Sequence, residues 1–331
     1  MTRILFTQTT FDRLRPRLDG RLECLAMDGQ GAVRLDGREI PPDEARPECA
    51  FLTNDIFFDS FVAPYVGVLE RSDALRWVQS PGAGVDLPMF VMLAEKGVRL
   101  TTSHAQAPGM AEYVLWGVLD HYQGGRAAAA EQAAHRWTRR HSREIGGTRW
   151  LVIGFGAIGA AVAARAKAFG AHVTGVRRRP GPSPFADAVT TPDRLFEHLG
   201  DSDVVVLCTP QTPQTVGMVD AAFLAAMKPG SMLVNVGRGS LVEEDALLAA
   251  LDAGTPEHAL LDVFRTEPLP AGSRFWDHPR VTLTPHGCGS TTGVEARTDD
   301  LFLDNLARYL AGEPLLSEIS AAEVLAASVE R

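Results

Sequence analysis

The chain has 331 residues, of which 45% are hydrophobic and 22% charged, and its formal net charge is −9. A length of this order points to two domains, the composition is that of a folded globular protein rather than a disordered or fibrous one, and an acidic chain lacks the basic footprint of a nucleic-acid binder. No apolar run reaches the ~18 residues of a membrane-spanning helix, and the opening residues MTRILFTQTTFDRLRPRLDG lack an apolar signal core. Cys24, Cys49, Cys208 and Cys288 are far apart and form no CxxC, so they read as free thiols in a reducing, cytoplasmic compartment.

In chain order, the first hundred residues offer strands at Arg3–Thr7, Leu22–Ala26, Cys49–Thr53, Leu75–Gln79 and Val98–Thr102. They describe a smaller α/β domain, and Phe57, Phe58 and Phe61 are candidates to border a pocket or, preferably, to pack its core. The segment Pro108–Tyr122 (PGMAEYVLWGVLDHY) is apolar nearly all round, the mark of a helix buried on more than one side. It is buried either within its own subunit or against a second copy, and the expectation is a homodimer through it. From Arg149 onward apolar strands alternate with helices. The strands are Arg149–Ile153, His172–Val176, Asp203–Cys208, Ser231–Val236, His258–Val263 and Val281–Thr284, with helices such as Ala160–Phe169 and Glu243–Ala253 between them. Near-continuous apolar runs suit strands covered on both faces, and the alternation gives a doubly wound parallel sheet with right-handed crossovers. A last helix over Gly293–Ala311 is placed to cross back onto the first domain. The expected domains are therefore 1–103 with 288–331, and 104–287.

The strand Arg149–Ile153 runs straight into Gly154-Phe155-Gly156-Ala157-Ile158-Gly159, and a helix follows. Such glycines allow a tight turn, close approach to a pyrophosphate and helix–strand packing, while the helix start supplies free N–H groups to phosphates. A dinucleotide site of Rossmann type is expected, against a mere packing turn or an adenosyl-ligand site of a methyltransferase. After the second strand an acidic residue would bind the ribose of NAD, but Arg177, Arg178 and Arg179 stand there. Guanidiniums suit a 2′-phosphate, so NADP(H) is expected, with NAD(H) as a possible second cofactor and a solvated basic turn as the alternative.

Ligands of open parallel sheets bind beyond the carboxyl ends of the strands. There the sequence places the loop from Thr209 and Pro210 to Thr215, then Gly237 and Arg238, Asp262 with Glu267 beyond it, and His286. An Arg, a Glu and a His on one rim make a set for proton and hydride chemistry on an anionic substrate. A cation and a proton donor beside a carbonyl oxygen stabilise the charge that builds there on reduction, and a neighbouring carboxylate favours the charged form of an imidazole. No His, Asp or Glu cluster has metal-ligand spacing, so no metal is expected.

Four ordered segments, GFGAIG, NVGRGSLVEEDAL, DVFRTEPLP and HPRVTLTPHGCGST, resemble the D-isomer-specific 2-hydroxyacid dehydrogenases, and QSPGAGVD at 79–86 looks like that family's substrate loop. The arginine run and GMAEYVL look most like the glyoxylate/hydroxypyruvate reductase branch. The resemblance implies a Rossmann domain beside a smaller flavodoxin-like substrate domain, with the active site in the interdomain cleft. It implies that Arg238 clamps the substrate carboxylate, that His286 exchanges a proton with the carbonyl oxygen, and that Glu267 bonds the other nitrogen of His286. Backbone N–H groups at Ala83 and Gly84 would hold the carboxylate, and Asp262 would bond the nicotinamide carboxamide. Val236, Gly237, Thr209, Pro210, Thr215 and Gly289 would line the cofactor.

Two other readings share this scaffold. Nucleotide-sensing co-repressors of the C-terminal-binding-protein type resemble the same dehydrogenases, but they carry a long disordered tail that this sequence lacks. An NAD-dependent phosphoglycerate dehydrogenase is disfavoured because its longer forms carry an added regulatory domain.

Overall fold

A computed structural model describes residues 1–58, 62–85 and 87–328. The chain divides into two compact units, Met1–Ala105 with Gly293–Arg331, and Gln106–Thr292. Both changes of unit lie a few residues beyond the sequence-based boundaries.

The first unit is built on an eight-stranded sheet. Its strands β1 (Arg3–Thr7), β2 (Glu23–Met27), β5 (Cys49–Phe51), β6 (Trp77–Gln79) and β7 (Arg99–Thr101) run parallel, in the order β7-β6-β5-β1-β2, the flavodoxin arrangement. Three short antiparallel strands extend it: β3 (Val33–Leu35) and β4 (Arg38–Ile40), which form a hairpin beside β2, and Glu318–Ile319 beside β7. The helix Val294–Ala311 belongs to this unit. Its Phe302 is fully buried, stacked on Phe51 at 4.3 Å and on Trp77 at 5.4 Å between ring centres, and Asp299 holds Arg13 through a two-pronged bond of 2.7 and 2.9 Å. The expectation for Phe57, Phe58 and Phe61 concerns side chains outside the described residues, as does Asp86 of the 79–86 loop.

The second unit carries a seven-stranded, wholly parallel sheet: β8 (Arg149–Ile153), β9 (His172–Val176), β10 (Ala188–Thr190), β11 (Val204–Leu207), β12 (Met232–Asn235), β13 (His258–Leu261) and β14 (Val281–Leu283). The order β10-β9-β8-β11-β12-β13-β14 reverses between β8 and β11, and that reversal opens a crevice at the carboxyl ends of these two strands. Each residue of β11, β12 and β13 is buried, as strands covered on both faces require. Helix Ala107–Gln123 buries Met110, Ala111, Val114, Leu115 and Val118. It lies on the helix Ala157–Ala168, and Gly117 lets it sit close, since a Cβ there would come within 2.3 Å of Leu260. Most of its apolar surface is thus used within its own unit. Among the described residues no helix is long and apolar enough to cross a membrane.

Candidate active site

Three glycines shape the crevice by β8. Gly154 has φ +94°, and a Cβ on it would lie 2.5 Å from the backbone of Cys208 and Thr209, which leave the neighbouring β11. Only glycine fits that conformation and that approach. A Cβ on Gly159 would lie 2.4 Å from the Gly154 carbonyl oxygen, so this residue seats the helix Ala157–Ala168 on the turn. A Cβ on Gly156 would meet nothing within 4 Å, which leaves the backbone open on that side. Gly156 and Ala157 are exposed, whereas Phe155 is buried with its ring over Gly175 of β9. The first intrahelical bond runs from Ala160 N–H to Gly156, so the N–H groups of Ala157, Ile158 and Gly159 are unclaimed among the described backbone groups. That is the general state of a helix start and a ready place for phosphate.

Beyond β9, Arg178 and Arg179 are exposed and Arg177 is half-buried. The Arg177 guanidinium donates to the Gly181 carbonyl at 2.7 Å, and its Nε is buried with no acceptor among the described residues. An orphaned buried donor is costly unless a ligand meets it. The unclaimed helix start, the open Gly156 and this guanidinium fit a dinucleotide: the turn would hold its diphosphate, and Arg177 would supply a donor beyond β9.

The polar rim follows from the next three strand ends. Asn235, the last residue of β12 and 1% exposed, shapes the turn that carries Arg238. Its amide donates to the Arg238 carbonyl at 2.9 Å and its oxygen accepts from Gly237 N–H at 3.0 Å. Arg238 donates from Nη1 to the Gly237 carbonyl at 2.9 Å. Gly239 presses this turn onto the chain after β13: a Cβ there would lie 1.9 Å from the carbonyl carbon of Phe264. Phe264 N–H in turn donates to Glu267 Oε1 at 2.9 Å, and Glu267 Oε2 accepts from His286 Nδ1 at 2.7 Å. Arginine turn, glutamate and histidine are therefore mechanically joined. A carboxylate is an acceptor only, so the proton sits on Nδ1 and Nε2 is left for a substrate. The histidine side chain is 51% exposed and the glutamate 35%.

His286 has φ +49°, a left-handed conformation that costs a residue with a Cβ about 1–2 kcal/mol. Asp262 holds it there. The Asp262 carbonyl accepts His286 N–H at 2.8 Å, and its carboxylate accepts from Gly287 N–H at 3.0 Å, from Cys288 N–H at 3.1 Å and from the Thr284 hydroxyl. The structure buries this carboxylate completely, beneath the His286 loop. Burial and the neighbouring Asp262 charge push the Cys288 thiol well above its ordinary range, which favours the thiol over the thiolate.

Other expected residues divide. Gly237, whose Cβ would lie 2.8 Å from the Thr209 carbonyl oxygen, brings the β12 turn against the loop after β11. Thr209 is half-buried and Pro210 exposed on that loop. The Thr215 hydroxyl is occupied within its own turn, donating to the Pro210 carbonyl and accepting from Thr212 N–H, both at 2.8 Å. Val236 is 3% exposed and belongs to the apolar core, not to an open wall. Gly289 abuts the Gln106 side chain, 3.2 Å from where a Cβ would stand. In the other unit, exposed Ala83 and half-buried Gly84 follow β6 on a turn tied by Ser103 N–H to the Gly82 carbonyl at 3.0 Å. The sequence reading missed Asn235, Thr284 and Tyr113, whose hydroxyl lies 2.6 Å from that of Thr284. Only the oddity of a polar residue closing an apolar strand marked Asn235.

Residues 115–288 match the family D-isomer specific 2-hydroxyacid dehydrogenase, NAD binding domain. Glyoxylate/hydroxypyruvate reductase A of Serratia proteamaculans is 31% identical over 248 residues, 72% of this chain and 79% of that protein. D-3-phosphoglycerate dehydrogenase of Mycobacterium leprae is 33% identical over 249 residues, but the match spans only 47% of its length. Among solved structures, a D-isomer specific 2-hydroxyacid dehydrogenase from Xanthobacter autotrophicus in complex with NADPH has 28% identity and a TM-score of 0.78, covering 97% of this chain and 98% of that one. An NADPH-dependent glyoxylate/hydroxypyruvate reductase from Sinorhizobium meliloti with NADP and sulfate has 26% identity and a TM-score of 0.77, covering 99% and 100%.

Proposed function

The chain belongs to the D-isomer specific 2-hydroxyacid dehydrogenase family, an oxidoreductase with an NAD(P)-binding domain, and we propose that it is an NADP(H)-preferring reductase of small 2-oxo acids of the glyoxylate or hydroxypyruvate type. The observation that carries this reading is the Glu267–His286 pair at 2.7 Å, with the Arg238 turn packed against Phe264, whose N–H holds Glu267. When bound, the reduced nicotinamide supplies a hydride to the carbonyl carbon. Arg238 pairs with the substrate carboxylate and draws charge from the oxo group. In the reducing direction His286 acts as the imidazolium: it gives its Nε2 proton to the carbonyl oxygen, is left neutral with Nδ1–H on Glu267, and takes a proton at Nε2 in the reverse direction, while Glu267 keeps the ring aimed. Ala83 and Gly84 N–H groups are assigned to the carboxylate, and two copies of the chain form the working unit.

Cofactor choice rests on Arg177, Arg178 and Arg179 standing where a carboxylate would favour NAD. The test is oxidation of NADPH and NADH with glyoxylate, hydroxypyruvate, pyruvate and bulkier aryl or branched 2-oxo acids. Small 2-oxo acids are expected to turn over. Charge-assisted bonds of about 1.5–3 kcal/mol put kcat/KM for NADPH at least about tenfold above NADH, and Arg177→Ala is expected to erase that margin. Equal use of both cofactors overturns the NADP assignment. Absence of turnover with every 2-oxo acid, together with capture of a protein partner, favours a sensor role.

A further inference from the structure

We propose that Tyr113 is a positioning residue for the acid/base loop, acting on His286 through the Thr284 hydroxyl and the Asp262 carboxylate. The proposal rests on the role given to His286 above. Tyr113 sits on the helix Ala107–Gln123 and not on any of the strand-end loops that form the rim. Its hydroxyl lies 2.6 Å from Thr284 Oγ1, which is 2.5 Å from Asp262 Oδ1.

The direction of this chain follows from donor and acceptor capacity. Asp262 Oδ1 accepts from Gly287 and Cys288 N–H, and the Thr284 hydroxyl donates to the same oxygen. Thr284 has one hydrogen, so toward Tyr113 it accepts, and the phenol donates. Burial pushes the Tyr113 hydroxyl up from its ordinary range, which keeps that donor protonated. Each hydroxyl in such a chain polarises the next. The phenol therefore fixes the rotor of Thr284, and Thr284 fixes one oxygen of Asp262.

That oxygen is shared with Gly287 N–H at 3.0 Å and Cys288 N–H at 3.2 Å. Together with the Asp262 carbonyl on His286 N–H at 2.8 Å, these bonds enclose the residue whose backbone is left-handed. No other side-chain hydroxyl bonds the Asp262 carboxylate among the described residues. Without the phenol, Thr284 is free to turn its hydrogen away. The carboxylate then loses its hydroxyl partner, and the loop its hold on the imidazole.

The test compares Tyr113→Phe, Thr284→Ser, Thr284→Val and the double variant Y113F/T284V. Loss of one buried hydrogen bond is expected to lower kcat about tenfold in Tyr113→Phe, with KM for the 2-oxo acid and the NADPH Kd within about twofold of wild type. Thr284→Ser restores the hydroxyl and keeps wild-type kcat, Thr284→Val reproduces the loss, and the double variant is no worse than Thr284→Val alone, as links in one chain require. In ligand-free protein labelled at histidine nitrogen, the His286 ring resonances are expected to move in Tyr113→Phe and Thr284→Val and to stay in Thr284→Ser. Wild-type kcat in Tyr113→Phe, unmoved His286 resonances, or equal loss in Thr284→Ser overturns the proposal. Should Tyr113→Phe fail to fold, the contrast between serine and valine at 284 decides. A wild-type protein that reduces no 2-oxo acid overturns the proposed function alone, because the resonances still test the coupling.

Discussion

A histidine works as a directed acid only when its other nitrogen is accounted for, and Glu267 does that for His286 at 2.7 Å. The pair is partly exposed, so its value lies in orientation and not in stability. Removing the imidazole removes proton transfer at the carbonyl oxygen, a contribution of about 10²- to 10⁴-fold, or roughly 3–5 kcal/mol of barrier. His286→Ala is accordingly expected to lower kcat by that range while NADPH still binds, measured by steady-state turnover beside cofactor titration. Arg238→Lys should behave differently. It keeps the charge but loses the planar fork that matches a carboxylate, so the rise should fall mainly on KM. A His286→Ala enzyme with near-wild-type kcat removes the residue from the mechanism.

At the scale of elements, the rim works because loops after adjacent parallel strands are pressed together at glycines. Gly239 is the tightest of these, with a Cβ 1.9 Å from the Phe264 carbonyl carbon. In Gly239→Ala one of the two loops must move, and such overpacking costs about 1–3 kcal/mol. Phe264 N–H anchors Glu267, so the same shift should cost turnover. Thermal denaturation and kcat are expected to fall together, and an alanine variant with unchanged kcat would disprove the mechanical link. The strands that carry these loops were legible because parallel strands buried on both faces write unbroken apolar runs, as in VVVL at β11 and MLVN at β12. The hairpin β3–β4 was not. Its Arg34, Arg38 and Glu39 give no apolar run, although Asp36 and Gly37, with φ +50° and +79°, form the kind of Asp-Gly turn that joins two strands. The edge strand β10 has three residues with only one buried, too short and too wet to stand out. In the candidate site, Arg238, Glu267 and His286 were legible from order along the chain. The Tyr113–Thr284 bond was not, because its partners are 171 residues apart and the apolar pattern of the helix and strand that hold them says nothing of a hydroxyl pair. Asp262 was legible as a polar residue at a strand end, whereas the bonds its carboxylate accepts from Gly287 and Cys288 were not, since they depend on how the chain turns after β14.

At the scale of the molecule, the question is what covers the surface left over once each unit has packed its own core. The helix Ala107–Gln123 uses most of its apolar residues internally, yet Trp116 remains 47% exposed. The segment 134–144, which follows the short helix Gly125–Ala133, is exposed at every residue, and Trp137 in it is 96% exposed. An indole that bare forfeits burial that a tryptophan ordinarily secures, and aromatic residues flanked by arginine are what interface centres favour. The segment also carries four arginines, of which Arg136 and Arg140 pair with Glu131 and Arg143 with Glu257 of the same chain, so the exposed indole rather than net charge marks the surface. This is the ground on which the homodimer is proposed. The expectation is a dimer in sedimentation equilibrium, with Trp116→Glu and Trp137→Ala combined shifting it toward monomer and weakening association by the several kcal/mol that buried aromatic anchors contribute, about 2–4 each. Neither residue belongs to the glycine turn or the rim, so NADPH binding by the separated monomer is expected to persist. A wild-type protein that sediments as a monomer overturns the proposal, as does a double variant with unchanged association.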